Sequence, residues 1–222
     1  MTWTNITNAA VAAGAAVSTA LMTALRDNVT ALANRDAGAP KVQTDFQTLA
    51  RIELSGDATA DFTEFDGTAY DGYVFVFSNV IPATNGALLD MLMSTDGGST
   101  FETGSSAYSW GRTQLNVNAN PVTAGPDVSG TSLASSIRLS GTAGSGGSED
   151  GFSGEVKVLG PHLAKETLVI WKGAYTDTSG NLQTVDGAGR RNSQIDIDAV
   201  RFLFSSGNLE SGIITMYGLR ND

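Results

Sequence analysis

The sequence predicts a mainly β protein, an antiparallel β-sandwich of jelly-roll type preceded by one short α-helical segment. Three observations carry that expectation. From Leu49 to Leu219 apolar residues alternate in short runs closed by Gly, Asn or Asp, the pattern of half-buried strands joined by tight turns. The 26 Gly and the low charged fraction of 16% suit a turn-rich domain. One stretch alone, Val17 to Leu32, has helical spacing, and it stands ahead of every strand.

In that stretch Leu21, Leu25, Asn28 and Leu32 recur at steps of four, three and four, the seam of a short coiled coil. Ser18 and Thr19 stand where an N-cap belongs, and Gly38 and Pro40 end the helix, which predicts a helix over about 18–35. At roughly four turns it is marginal alone and needs a packing partner. Two readings of Asn28 stay open. Facing its copies in a seam, it fixes register and chain number; facing solvent, it leaves the helix packed on its own domain. Trp3 and Ile6 precede the helix as a candidate attachment anchor. From Asp36 to Gln47 the chain reads as a linker, with Pro40 holding Ala39 extended, so residues 1–45 form an attachment and trimerisation segment and 46–222 the β domain.

Strands are expected at Leu49 to Ser55, Asp61 to Phe65, Tyr73 to Val80, Leu88 to Met93, Tyr108 to Trp110 and Ile137 to Leu139. Four more follow at Phe152 to Leu159, Leu168 to Tyr175, Ile195 to Phe204 and Ile213 to Leu219. Tyr73 to Val80 is apolar on both faces and reads as central. Unequal connections, above all the polar stretch from Asn116 to Ser136, favour a jelly roll over a meander barrel. Residues 141–148 are Gly/Ser-rich and read as a surface loop.

Composition narrows the function. With 23 acidic against 13 basic residues the net charge is −10, and no Lys/Arg cluster is present to displace counterions, which argues against a nucleic-acid partner. No Cys occurs, so neither disulfides nor thiolate chemistry contribute. No run approaches the ~20 apolar residues of a membrane span, and the opening residues lack a secretory pattern, so a soluble protein without membrane insertion, made in the cytoplasm, is expected.

Candidate chemistry is sparse. Ser94 to Phe101 resembles the Asp-box hairpin of sialidase-like propellers, but it occurs once, so it implies a turn in which Asp96 accepts backbone N–H groups and Phe101 packs. His162 is the single histidine and has no second His or Cys to share a metal, so neither a metal site nor a cofactor is expected. Asp196 and Asp198 alternate with Ile195 and Ile197; on a strand they share an outer face, either as a glycosidase pair, with Glu149 and Asp150 nearby, or as a solvated edge. Two aromatic pairs, Tyr108 with Trp110 beside Arg112, and Trp171 with Tyr175, each share a strand face. Outward, they form a sugar platform; inward, they are core plugs.

Three blocks together resemble the fibre and spike proteins of small tailed bacteriophages. Trp3 with Val17 to Asn28 and Gly38 to Pro40 is similar to their N-terminal attachment segment. Tyr73 to Pro82, Leu92 to Gly98 and Tyr108 to Trp110 resemble the first half of their jelly roll, and Val200 to Gly207 with Ser211 to Leu219 the closing strand pair. The resemblance implies a non-enzymatic virion component, a homotrimer bound to other virion proteins. In this reading the helix trimerises the chain and the sandwich contacts a host-surface glycan. The alternatives are a capsid decoration or cement protein without a receptor role, and a glycan depolymerase using carboxylates such as Asp196 and Asp198.

Overall fold

The structure, a computed structural model, describes residues 18–34, 46–117, 127–147 and 150–220. Contacts divide the chain into two compact units, 1–45 and 46–222. In the first, α1 spans Thr19–Asn34. Ser18 caps it: its hydroxyl accepts the Leu21 N–H at 3.1 Å, and its carbonyl accepts the Met22 N–H at 3.1 Å. Among the described residues no helix is long and apolar enough to cross a membrane.

The apolar stripe that α1 leaves open differs from the expected seam. Met22, Leu25 and Val29 are 56%, 46% and 68% exposed, whereas Asn28 and Ala31 are buried in the isolated chain and Leu21 is half-buried. The reason is angular: at 3.6 residues per turn Val29 lies about 40° to one side of Leu25 and Asn28 about 60° to the other. Asn28 is thus closed off from solvent within one chain, which removes the solvent-facing reading. Trp3, Ile6, residues 36–45 of the linker and the side chain of Leu32 lie outside the described residues; the last two linker positions, Phe46 and Gln47, already belong to the first strand.

The second unit holds twelve strands among the described residues: β1 (Phe46–Asp57), β2 (Ala60–Phe62), β3 (Tyr70–Pro82), β4 (Leu89–Ser94), β5 (Tyr108–Asn116), β6 (Asp127–Ala134), β7 (Ile137–Arg138), β8 (Phe152–Leu159), β9 (Leu168–Thr176), β10 (Leu182–Arg191), β11 (Ala199–Phe204) and β12 (Leu209–Arg220). They form an eight-stranded sheet, β1-β12-β3-β8-β9-β10-β5-β6, and a four-stranded sheet, β2-β11-β4-β7. Antiparallel pairs nest inside one another along the chain: β1 with β12, β2 with β11, β3 with β8 and β4 with β7. That nesting, divided over two sheets, is the jelly roll. Two insertions enlarge it: β5 and β6 between β4 and β7, and β9 and β10 between β8 and β11, all four extending the large sheet beyond β8.

Phenylalanines from both sheets fill the centre. Phe62 and Phe202 of the small sheet, 6.1 Å apart, meet Phe75 and Phe77 of β3 edge to face, with centroids 4.9 to 5.1 Å apart across the sheets. Four strands cannot cover eight, so the inner face of the extension needs another lid. The segment Leu139–Gly141, just after β7, supplies one: the Leu139 carbonyl accepts Trp171 Nε1–H at 3.0 Å, and the Gly141 N–H donates to the Tyr175 hydroxyl at 2.8 Å.

Candidate functional site

That lid decides where the aromatic residues point. Tyr108, Trp171 and Tyr175 are all buried, so their rings are core plugs and no sugar can lie on them. Each aromatic pair does share a face, but it is the inner one, because Leu139–Gly141 and the opposite sheet give its polar atoms partners. The Tyr175 hydroxyl also donates to Gln114 Oε1 at 2.8 Å. The Tyr108 hydroxyl accepts the Met93 N–H at 2.8 Å and donates to the Glu102 carbonyl at 3.1 Å. Burial pushes the Tyr108 phenol up to about 12. Trp171 has room because its neighbour across the β9–β10 ladder is Gly187, where a Cβ would fall 2.2 Å from the indole.

Trp110 is the exception. Half-buried on β5, it sits where the extension outruns the small sheet, and it lines two neighbouring depressions. One, of about 470 Å³, is lined by Gly111, Leu168, Ala188 and Arg190 among others. The other, of about 360 Å³, is rich in hydroxyls: Thr103, Ser105, Thr131 and Ser136 line it together with Arg138. Thr131 is there because it pairs with Trp110 across β5 and β6. The Arg138 Nε–H donates to Asp90 at 3.2 Å, and the Arg138 side chain keeps 36% of its surface exposed. Burial raises the Asp90 carboxyl above the usual range even though Arg138 beside it works the other way.

Arg112 does not serve as a sugar contact. It is buried, its guanidinium stacks 5.5 Å from the centre of the Trp110 ring, and Nη1 donates to the Ser140 carbonyl. Its work is to hold the indole against the lid. Arg138 instead stands at the rim. A short sequence context, Ser136-Ile137-Arg138, gave no signal for it; only the pairing of β7 with β4 brings it beside Asp90.

The two carboxylates also part company with the expected strand. Residues 195–198 precede β11, which starts at Ala199; Ile195 is exposed while Ile197 is buried, so no common outer face exists. Asp196 Oδ1 lies 3.0 Å from His162 Nδ1, and the other ring nitrogen of His162 lies 3.1 Å from the Tyr73 hydroxyl. Asp198 is tied by its N–H to the Ser94 carbonyl at 3.1 Å. Neither acid lines a Trp110 depression. Glu149 lies outside the described residues, and among those described no group of three or more His, Asp or Glu side chains is placed to hold a metal ion.

The second depression thus brings together an indole, several hydroxyls and a guanidinium, one apolar surface beside a set of hydrogen-bonding groups. Compared with family models, with curated proteins and with solved structures, the chain matches none.

Proposed function

We propose that the protein is a virion fibre or spike subunit that assembles through α1 as a homotrimer, joins other virion proteins through its N-terminal segment, and presents the jelly roll to a host-surface glycan. The observation that carries the binding part is Trp110, the half-exposed indole set among Thr103, Thr131, Ser136 and Arg138. A depression this shallow gives an affinity on the order of millimolar for one sugar, and assembly converts it into firm adhesion because later contacts are effectively intramolecular. The open stripe Met22–Leu25–Val29, with spacings of three and four, supports the assembly part.

The test is binding of the intact protein to surface polysaccharide, measured by calorimetry, against Trp110→Ala. The variant is expected to bind at least tenfold more weakly and, because the indole also packs against the core, to melt lower while keeping one cooperative transition. Equal binding by the two proteins sinks the Trp110 site, and release of new reducing ends during incubation turns the reading toward a depolymerase.

A decoration or cement role is the second reading, and one observation favours it: Leu168 and Ile170 are 50% and 46% exposed on the outer face of β9. Firm binding to capsid shells together with no affinity for glycan selects it.

A further inference from the structure

Beside the Trp110 depression lies a smaller pocket of about 220 Å³, lined by Ser94, Thr95, Phe101, Glu102, Thr103 and Arg191 among others. Thr103 lines both. Arg191 is the last residue of β10, paired with Tyr108 of β5, and that register drives its side chain inward until the residue is only 7% exposed. A guanidinium removed from water needs acceptors for its N–H groups and a counter-charge close by. Arg191 is short of both. Its Nη1 has no hydrogen-bond partner among the described residues. The one carboxylate within 4 Å of it among those residues is Glu102, whose Oε2 stands 3.7 Å from Nη2, beyond hydrogen-bond distance.

Glu102 is held elsewhere. Its Oε1 accepts the Gly104 N–H at 2.7 Å, and its side chain is 41% exposed. Asp96 spends its oxygens on Thr100 and Ser94. Asp198, bonded through its N–H to Ser94 of the pocket wall and with Oδ1 buried and unpartnered among the described residues, forms no ion pair with Arg191 within 4 Å. The pocket thus holds a buried cation whose own counter-ion is a carboxylate too far away to bond.

We propose that this pocket is an oxyanion subsite that takes the carboxylate of an acidic sugar, displacing the Glu102 side chain toward solvent. The inference rests on the glycan reading of Trp110 and narrows it to saccharides of the uronic acid type. A planar carboxylate fits a guanidinium through two parallel hydrogen bonds, which neutral hydroxyls do not reproduce. Shared lining by Thr103 lets one oligosaccharide lay a ring on Trp110 and a neighbouring carboxylate on Arg191. The overall charge of −10 is no obstacle at physiological salt, where charges beyond about 8 Å are largely screened.

The test uses the full chain and two probes, a glucuronate-containing oligosaccharide and the same oligosaccharide with its carboxyl groups reduced to alcohols, with affinities from calorimetry. The acidic probe is expected to bind at least tenfold tighter. Arg191→Gln removes that preference, and Glu102→Gln, which withdraws a competing negative charge from a partly exposed position, tightens the acidic probe about threefold or more while leaving the reduced probe unchanged. Should Arg191→Gln fail to fold, Glu102→Gln alone decides. Equal binding of both probes, weakened alike by Trp110→Ala, overturns the oxyanion subsite and leaves the glycan reading standing; binding of neither probe overturns both. Unchanged or weaker binding of the acidic probe to Glu102→Gln also overturns the subsite.

Discussion

Asp96 shows how one side chain shapes a turn. It accepts the Thr100 hydroxyl at 2.6 Å, the Thr100 N–H at 2.8 Å and the Ser94 hydroxyl at 2.8 Å, and these bonds hold its carboxyl down from its ordinary 3.8 to about 2. Because the folded carboxyl is the stronger acid, the charged form stabilises the fold above the ordinary carboxylate range, and that contribution is lost as pH falls toward 2. Asp96→Asn is therefore expected to melt below the wild type at pH 7, with the gap closing between about pH 4 and pH 2; a gap independent of pH in thermal melts refutes the turn as the cause. The turn was legible in the sequence because every partner lies within four residues. The aromatic residues were not: alternation put Trp171 and Tyr175 on one face, but which face depended on Leu139–Gly141, far away in the chain. Arg191 and Arg138 were invisible for the same reason, since each acquires its role from a strand remote in sequence.

Among elements, α1 and the insertion strands teach opposite lessons. The helix was readable because its cap and period are local, with Ser18 at the start as the sequence implies. The strands β6 and β10 were missed, and β10 shows why. Its inner positions are Gln183, Val185, Gly187, Gly189 and Arg191, so the apolar alternation that marks a strand is absent. The neighbours fill that space instead: the Trp171 indole lies over Gly187, and a Cβ on Gly189 would fall 3.1 Å from that of Trp110. A strand that accommodates its neighbours' rings carries the signal in their sequence, not in its own. For α1 the consequence is testable. Leu25 and Val29 belong to the open stripe, so replacing both with Ser removes apolar area from the proposed assembly surface without touching the buried Ala31. Sedimentation is expected to show trimers for the wild type and monomers for Leu25→Ser/Val29→Ser; wild-type monomers at working concentration remove the helix from any role in assembly.

At the scale of the molecule, the nesting of strand pairs explains why composition revealed a sandwich while leaving its sheet order open. The pairing of β1 with β12 joins Phe46 to Leu219 and Asp57 to Leu209, and no local pattern encodes so distant a partner. The same pairing closes the domain on itself: its first and last strands are zipped along their length, and among the described residues the central cluster from Leu54 to Met216 draws on 46–222 alone. The described residues that line the Trp110 depressions and the Arg191 pocket also belong to that unit. Removing residues 1–45 is therefore expected to leave the core and the site whole while taking away the proposed means of assembly. The expected result has two parts. The fragment unfolds in one cooperative transition and binds a soluble oligosaccharide as the full chain does, but its retention on a glycan-coated surface drops by about a hundredfold or more, because avidity is lost while intrinsic affinity is kept. Calorimetry and surface plasmon resonance on the two proteins separate these quantities. A fragment that loses affinity for the soluble sugar as well shows that the N-terminal unit shapes the site directly, and equal surface retention shows that adhesion does not depend on assembly.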